Sequence, residues 1–182
     1  MSQPLLNPTI PAGQEERVGA LLDAVQEFVG FVPDGLRLFT LSPSLLETFI
    51  ANLTYFNSES AVGPQLAAMI RYLVSYRADC NFCIDLNEGF LVEMGADLDA
   101  VRAARHDLDA APVAPHELPL LRLAVAAVDD PRQVGADHLQ AARQAGWSDR
   151  DIFDTVAMAT SNRAFNLILH TFKVDRQGVF GA

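Results

Sequence analysis

Apolar residues recur at three- and four-residue steps through most of this chain, and that spacing limits the possible folds more than any other feature. In "EERVGALLDAVQEFVG", Val18, Leu21, Leu22, Val25 and Phe28 fall on one face of a helix. No stretch alternates with the period of two that marks a half-buried strand, and no Asn-Gly or Asp-Gly pair joins two apolar runs. The sequence therefore predicts an all-α bundle of about eight helices with short connections.

Capping signals indicate where several of these helices begin. Ser42 followed by Pro43 is a helix start, because serine caps the first turn and proline at its first position loses no hydrogen bond. Pro64 opens the next helical pattern in the same way. Ser148, with Asp151 three residues later, resembles a capping box at the start of the longest helical pattern.

The composition predicts one helical domain preceded by a short arm. Residues 1–13 hold three of the ten prolines and show no helical periodicity, so we expect an extended N-terminal arm. Residues 14–182 are expected to form a single domain, because 182 residues that are 50% hydrophobic can bury a sizeable core.

The composition limits which partners and which cellular location are expected for the chain. A net charge of -10 and a pI of about 4.6 oppose binding to nucleic acid or to an anionic membrane. The charged fraction of 20% is low and is compatible with a homo-oligomer that covers part of the surface. Because no signal peptide or membrane-spanning pattern is present in the sequence, a cytoplasmic location is expected.

The only two cysteines, Cys80 and Cys83, form a C-x-x-C motif. In a reducing compartment this spacing favours a catalytic or metal-binding role over a structural disulfide. The motif lies where a helix is predicted to begin, and unpaired backbone N–H groups there lower the pKa of a thiol. Two sulfurs within one turn can also meet as a disulfide, so the motif is typical of a thiol–disulfide exchange site.

Two other interpretations of the motif stay open from its spacing. A zinc site would need two more ligands, but the four histidines are isolated and there is no second C-x-x-C, so neither a metal nor another cofactor is predicted. Alternatively, the cysteines are small buried apolar residues at a tight helix junction.

Three segments in order carry a resemblance to a known family. They are "GFVPDGLRLFTLSPSLLETFIANLTYF", "GPQLAAMIRYLVSYRADCNFCIDLN" and "AGWSDRDIFDTVAMATSNRAFNLI". Together they resemble the AhpD-like superfamily of alkylhydroperoxidases and carboxymuconolactone decarboxylases, and most of all its peroxidase-related members. The resemblance covers roughly residues 14–174 and implies an AhpD-like helical bundle.

The resemblance also implies a mechanism and shows where this chain departs from it. By resemblance, Cys83 attacks a peroxide and Cys80 resolves the product as a disulfide. Active members carry a glutamate twelve residues before the first cysteine and a histidine four after the second, whereas this chain has Ala68 and Asn87 there. Because general-base help contributes ~10²–10⁴-fold, we expect peroxide turnover by the family mechanism to be much slower.

Four residues are candidates to support the cysteines in place of the missing relay: Asn87, Tyr72, Tyr76 and His170. Each also has an ordinary structural interpretation, the tyrosines as packed residues and the histidine as a packed or surface residue. By resemblance, the partners are a homo-oligomer (dimer, trimer or hexamer) and a dithiol reductant such as a lipoyl group or a thioredoxin-like protein.

Arg163 lies on the apolar stripe of the last predicted helix. A buried arginine requires a carboxylate partner, so we expect such a partner, a subunit contact or a pocket. Asn162 and Asn166, four residues apart, have the same range of roles.

The sequence leaves three functional hypotheses. The first is a thiol–disulfide oxidoreductase that acts on hydroperoxides or disulfides through its cysteine pair. The second is a non-redox, small-molecule-binding or degenerate member of the same fold, which the loss of both relay residues favours. The third, a decarboxylase acting on a lactone, is the weakest because no clear general acid lies near the motif.

Overall fold

The computed structural model describes residues 4–174, and within this range the all-α prediction is confirmed. It contains nine α-helices, two short 3₁₀ turns and no strand. The helices are α1 (Glu15–Val29), α2 (Asp34–Phe39), α3 (Pro43–Ser58), α4 (Pro64–Arg77), α5 (Asn81–Glu93), α6 (Leu98–Ala103), α7 (Leu118–Asp129), α8 (Ala136–Gln144) and α9 (Asp149–Thr171). The 3₁₀ turns span Leu108–Ala110 and Pro131–Gln133.

The predicted helix starts are observed. Pro43 and Pro64 occupy the first positions of α3 and α4. At the start of α9, the Ser148 hydroxyl accepts a hydrogen bond from the Asp151 amide, and the Asp151 carboxylate accepts one from the Ser148 amide. This reciprocal pair is the predicted capping box. The Ser42 side chain, by contrast, makes no capping hydrogen bond.

Helix α4 is the centre of the bundle and packs against α5, α7 and α9. Nine of its 14 residues are buried, on every face of the helix. One core cluster surrounds α4, α7 and α9, and a second joins α1, α2 and α3 to the start of α5. Cys80 and Cys83 belong to the second cluster, so the cysteine pair lies inside the protein.

Helices α1 and α3 cover the side of the bundle that carries the cysteines. Val18 and Val25 of α1 are buried as predicted, but Phe28 is 74% exposed. The apolar stripe of α1 is therefore buried at Val18 and Val25 but exposed at Phe28. Phe28 lies near the end of α1, which stops at Gly30 in a left-handed conformation with φ of 88°.

The segment before α1 contains no helix or strand from residue 4 onward. The Leu5 amide donates a hydrogen bond of 2.9 Å to the Phe172 carbonyl, which places this segment across the end of α9. The domain prediction also includes residues 1–3 and 175–182, which lie outside the described residues. Within residues 4–174, no helix combines the length and apolar character needed to cross a bilayer.

Candidate functional site

Both cysteines lie where one helix ends and the next begins. After α4 the chain turns at Asp79, whose φ of 53° is left-handed, and Cys80 then forms the N-cap of α5. The Cys80 amide donates a hydrogen bond of 3.1 Å to the Ser75 carbonyl, which holds the turn against α4. Cys83 follows in the first turn of α5, as the C-x-x-C spacing predicts.

The two cysteine side chains are buried and in contact, and no disulfide joins them. The Sγ atoms of Cys80 and Cys83 are 3.0 Å apart, and the side chains belong to residues only 3% and 2% exposed. This separation allows a hydrogen bond between the sulfurs. It also allows a disulfide to form after a small side-chain movement, since both residues lie in one helical turn.

The hydrogen bond between the sulfurs shifts their two pKa values in opposite directions. The hydrogen bond between them lowers the pKa of Cys80, although burial and the charge of Asp79 act against this. The same hydrogen bond, together with burial and the charge on Cys80, raises the pKa of Cys83. Because the proton can lie on either sulfur, the pKa of the first ionisation is a property of the pair and not of one cysteine. Loss of the second proton is opposed, since it would place two negative charges in contact.

Neutral polar groups from α4 and α9 surround the pair. The Asn162 amide donates to the Ser75 hydroxyl at 3.2 Å and to the Asn166 side-chain oxygen at 3.1 Å. The Asn166 amide donates to the same hydroxyl at 3.1 Å. Hydrogen bonds from Asn166 act to lower the pKa of both cysteines, and one from Ser75 acts to lower that of Cys83. These groups stabilise a thiolate but cannot remove its proton.

A cavity of about 670 Å³ lies between α1, α3, α4, α5 and α9, and Cys83 forms part of its wall. Cys80 does not line this cavity. The wall is mainly apolar and includes five phenylalanines: Phe28, Phe49, Phe82, Phe90 and Phe165. Its volume lies within the range of about 300–1,000 Å³ that is typical of small-molecule sites.

Ala68 and Asn87, the two departures from the family relay, both lie in this wall with Cys83. The Asn87 amide donates a hydrogen bond of 2.7 Å to the Cys83 carbonyl, so it is held in place but accepts no proton. The other ionisable groups of the wall are Arg71 and Glu93. Glu93 lies ten residues after Cys83 on the same helix, about 15 Å away along its axis, and is too distant to act as its base.

The two candidate tyrosines belong to a different region and do not line the cavity. The Tyr72 hydroxyl donates to Glu88 at 2.7 Å and accepts from Arg105 at 2.6 Å. Burial, followed by the hydrogen bond and charge of Glu88, raises the pKa of Tyr72. The Tyr76 ring lies against the Arg105 guanidinium at 4.8 Å.

His170, the fourth candidate, is exposed near the end of α9. Its Nδ1 atom lies 3.3 Å from the carbonyl of Asp79, beside the turn that leads to Cys80. The structure thus brings Asn87 to Cys83 and His170 to the neighbouring turn. From the sequence, Ser75 is considered only as a neighbour one turn after Tyr72, and Asn166 only as a pocket or subunit-contact residue through its four-residue spacing from Asn162.

Arg163 does not have the carboxylate partner that we expected. No carboxylate within residues 4–174 is within ion-pair distance, and its buried Nη1 atom has no hydrogen-bond partner in that range. Arg163 is also not part of the cavity wall, whereas Asn162 is. In the same range, no three His, Cys, Asp or Glu side chains are grouped so that they could hold a metal ion.

No protein-family model and no curated protein matches the sequence. Solved structures match over nearly the whole chain. An uncharacterized peroxidase-related protein from a Silicibacter species has a TM-score of 0.83 and 18% identity, over 95% of this chain and 91% of that one. An uncharacterized peroxidase-related protein from Ralstonia eutropha, described as an alkylhydroperoxidase AhpD core, has a TM-score of 0.82 and 19% identity, over 98% and 96%.

The debrominase Bmp8 in complex with 2,3,4-tribromopyrrole also matches, with a TM-score of 0.72 and 15% identity over 92% of each chain. The protein therefore has the AhpD-like fold, which confirms the fold that the sequence resemblance implied. At these identities the likeness concerns the fold.

Proposed function

We propose that the protein is a thiol-dependent oxidoreductase that reduces a small apolar hydroperoxide or disulfide at Cys83, with Cys80 as the resolving thiol. The observation that carries the proposal is the position of Cys83, in the wall of an apolar cavity and 3.0 Å from the second sulfur. Access decides the roles, because a substrate in the cavity meets Cys83 before Cys80.

In this mechanism, the Cys80 thiolate takes over the role of the missing base. Moving one proton along the hydrogen bond between the sulfurs converts a Cys80 thiolate and a Cys83 thiol into the reverse arrangement. Hydrogen bonds from Asn166, and from Ser75 once its hydroxyl turns away from the Arg71 carbonyl, stabilise the charge on Cys83 after it forms. Since the Cys80 sulfur is buried and its pKa is lowered, we expect turnover to be slower than in members with the full relay.

With a hydroperoxide, the Cys83 thiolate attacks the terminal oxygen and the O–O bond breaks, leaving a sulfenic acid and an alkoxide. The alkoxide takes the proton from Cys80 and leaves as the alcohol. The Cys80 thiolate then attacks the Cys83 sulfur, forms the disulfide and releases hydroxide. The peroxide gains two electrons, and the two thiols lose them.

A dithiol must return the disulfide to its reduced form, and we propose a lipoyl group or a thioredoxin-like protein in the cytoplasm. We also propose a homo-oligomer, a dimer, trimer or hexamer. Large apolar side chains exposed on the surface support it, including Phe28, Phe153 and Leu167, which are 74%, 71% and 52% exposed.

The second candidate is a non-redox protein that binds a small molecule in the same cavity. The absence of a proton acceptor at Ala68 and Asn87 favours it. The debrominase with this fold has been determined in complex with 2,3,4-tribromopyrrole, which supports a small aromatic ligand for either candidate.

The deciding experiment follows the thiols through one turnover. The reduced protein is mixed with one equivalent of cumene hydroperoxide, free thiols are alkylated at timed intervals, and the products are weighed by mass spectrometry. We expect rapid formation of an intramolecular disulfide that a dithiol reverses. Two thiols that stay alkylatable for minutes in folded protein would establish the non-redox candidate instead.

Single-cysteine variants test the assigned roles. Cys80→Ser should stop at a Cys83 sulfenic acid, which a dimedone-type probe traps. Cys83→Ser should show no fast oxidation of Cys80, because Cys80 does not line the cavity. Fast oxidation of Cys83→Ser would contradict the assignment of Cys83 as the attacking thiol.

A further inference from the structure

Arg71 contributes a positive charge to the cavity wall without an anionic partner. No carboxylate among residues 4–174 is within ion-pair distance of its guanidinium. The Ser75 hydroxyl and the Asn162 amide donate hydrogen bonds to the backbone carbonyl of Arg71 and leave its side chain without a partner there. Burial lowers the pKa of Arg71 to about 10, so the side chain is charged at neutral pH. Arg71 is half-buried, and a partly desolvated charge in a mainly apolar wall gains from an anionic partner.

Most arginines within residues 4–174 do have such a partner. Arg77 pairs with Asp129 at 2.7 Å, and Arg102 and Arg105 both pair with Glu88, at 2.9 and 2.8 Å. Of the arginines described, Arg163 resembles Arg71 in lacking a carboxylate, but it does not line the cavity. Arg71 therefore combines an unmatched charge with access to a space that a ligand can enter.

We propose that the cavity binds an amphipathic anion, with an apolar body among the phenylalanines and one carboxylate on the guanidinium of Arg71. The planar fork of an arginine fits a carboxylate with two parallel hydrogen bonds. As a statement about the substrate of Cys83, the inference rests on the proposed function, and it specifies a hydroperoxide or disulfide that also carries a carboxylate.

The positions of the charged groups in the wall set the orientation of this ligand. Arg71 lies four residues, about 6 Å along α4, before Ser75, whose hydroxyl donates to the Arg71 carbonyl and lies close to Cys83. Glu93, the acidic residue of the wall, lies about 15 Å along α5 from Cys83 and repels a carboxylate from that end. The anionic group is therefore held at Arg71 and away from Glu93.

Binding can be measured without any redox chemistry. Octanoate and 1-octanol are titrated by isothermal calorimetry into the reduced full-length protein, into Arg71→Gln and into Arg71→Lys. Arg122→Gln is the matched control, because it removes the same charge from a half-exposed arginine that pairs with Asp109 and does not line the cavity.

We expect the wild-type protein to bind octanoate more tightly than 1-octanol. Arg71→Gln should weaken octanoate binding by about 10- to 100-fold and leave 1-octanol binding within about 3-fold. Arg71→Lys should retain part of the affinity, since it keeps the charge but loses the fork. Arg122→Gln should bind both compounds like the wild type.

Three results would overturn the inference: equal affinity of the wild type for the two compounds, no binding of octanoate to folded wild type, or equal losses in Arg71→Gln and Arg122→Gln. The proposed function fails separately. If octanoate binding depends on Arg71 but hydroperoxides leave both thiols reduced, the anion site stands and the oxidoreductase does not. If the thiols react but Arg71→Gln binds octanoate normally, the reverse holds.

Discussion

Two polar regions flank α4 and α5, and they differ in how their charges are matched. In the first, which we name the ionic cluster, Tyr72, Glu88, Arg102 and Arg105 are joined by hydrogen bonds and ion pairs of 2.6–3.1 Å. In the second, the cysteine cavity, the wall is mainly apolar, and its charged residues Arg71 and Glu93 form no ion pair among residues 4–174. Matched charges hold helices together, whereas an unmatched charge beside an open space is available to a ligand.

Neighbouring residues in the sequence divide between these regions. Arg71 lines the cavity while Tyr72 belongs to the ionic cluster, and Asn87 lines the cavity while Glu88 belongs to the ionic cluster. One residue along a helix turns the side chain by about 100°. Each helix therefore contributes a structural residue and a site residue from adjacent positions.

The largest expected effect is on the rate of Cys83 oxidation, when a base is added to the wall of the cysteine cavity. Asn87→His places an imidazole in the wall beside Cys83, where no side chain now accepts a proton readily. We expect the rate of Cys83 oxidation by cumene hydroperoxide to rise by about 10²-fold, since general-base help typically contributes ~10²–10⁴-fold. The gain should develop as the pH rises through about 6.5, where histidine loses its proton.

Stopped-flow oxidation of reduced protein measures this rate. Asn87→Gln is the control, because it changes the size of the side chain without adding a base. Equal rates in the two variants, both correctly folded, would show that proton removal does not limit the reaction.

The next effect tests whether the ionic cluster is structural. Glu88→Gln removes the carboxylate that both arginines bind, and its side chain is 12% exposed. We expect the free energy of unfolding at pH 7 to fall by about 2–3 kcal/mol, below the 3–5 typical of fully buried pairs because Arg102 is half-exposed. Urea denaturation measures the change.

Asp129→Asn is the matched control for Glu88→Gln. It removes an ion pair with Arg77 in which the carboxylate is 47% exposed, so we expect a loss below about 1 kcal/mol. A loss in Asp129→Asn as large as that in Glu88→Gln would mean that burial does not distinguish the ionic cluster from a surface pair.

Glu88→Gln should also reveal how the stability contributed by the ionic cluster depends on pH. Burial alone would raise the pKa of Glu88, but hydrogen bonds from Arg102 and Tyr72 and the charges of both arginines outweigh it and lower the pKa below its ordinary 4.5. A carboxylate with a lowered pKa stabilises the fold above its unfolded value and loses this effect as the pH falls through the folded one.

The difference in unfolding free energy between wild type and Glu88→Gln should therefore have its largest value at pH 7. It should shrink as the pH falls below about 4.5. Urea titrations at a series of pH values measure it, and a difference that grows towards low pH would have the wrong sign for this assignment.

The smallest expected effect concerns stability on the cavity side. Arg71→Gln removes no ion pair among the described residues, so the free energy of unfolding should change by less than about 0.5 kcal/mol in the absence of ligand. Urea denaturation of the two proteins measures it. A loss near that of Glu88→Gln would show that Arg71 is a structural residue like those of the ionic cluster.

The sequence predicted the features that depend on neighbouring residues. Proline at the starts of α3 and α4, the capping box of Ser148 and Asp151, and the place of the cysteines at a helix start are all local, because caps and turns involve residues within about one turn. The absence of period-two alternation was enough for the all-α fold. Tyr72 and Tyr76 were considered for the cysteine site because they are near the cysteines in the sequence. Nearness in sequence indicates how far apart residues are along a helix, but it does not show which way each side chain faces.

Only the tertiary structure determined which helix faces meet. Asn166 donates a hydrogen bond to Ser75, which is 91 residues away in the sequence. Tyr72 donates one to Glu88, which is 16 residues away and on the next helix, α5. The sequence by itself determined the helices, their ends and the cysteine pair, since these follow from local hydrogen bonding and apolar periodicity. Packing decided that Cys83 lines a cavity with an unmatched arginine, because long-range contacts depend on how several apolar faces are buried together.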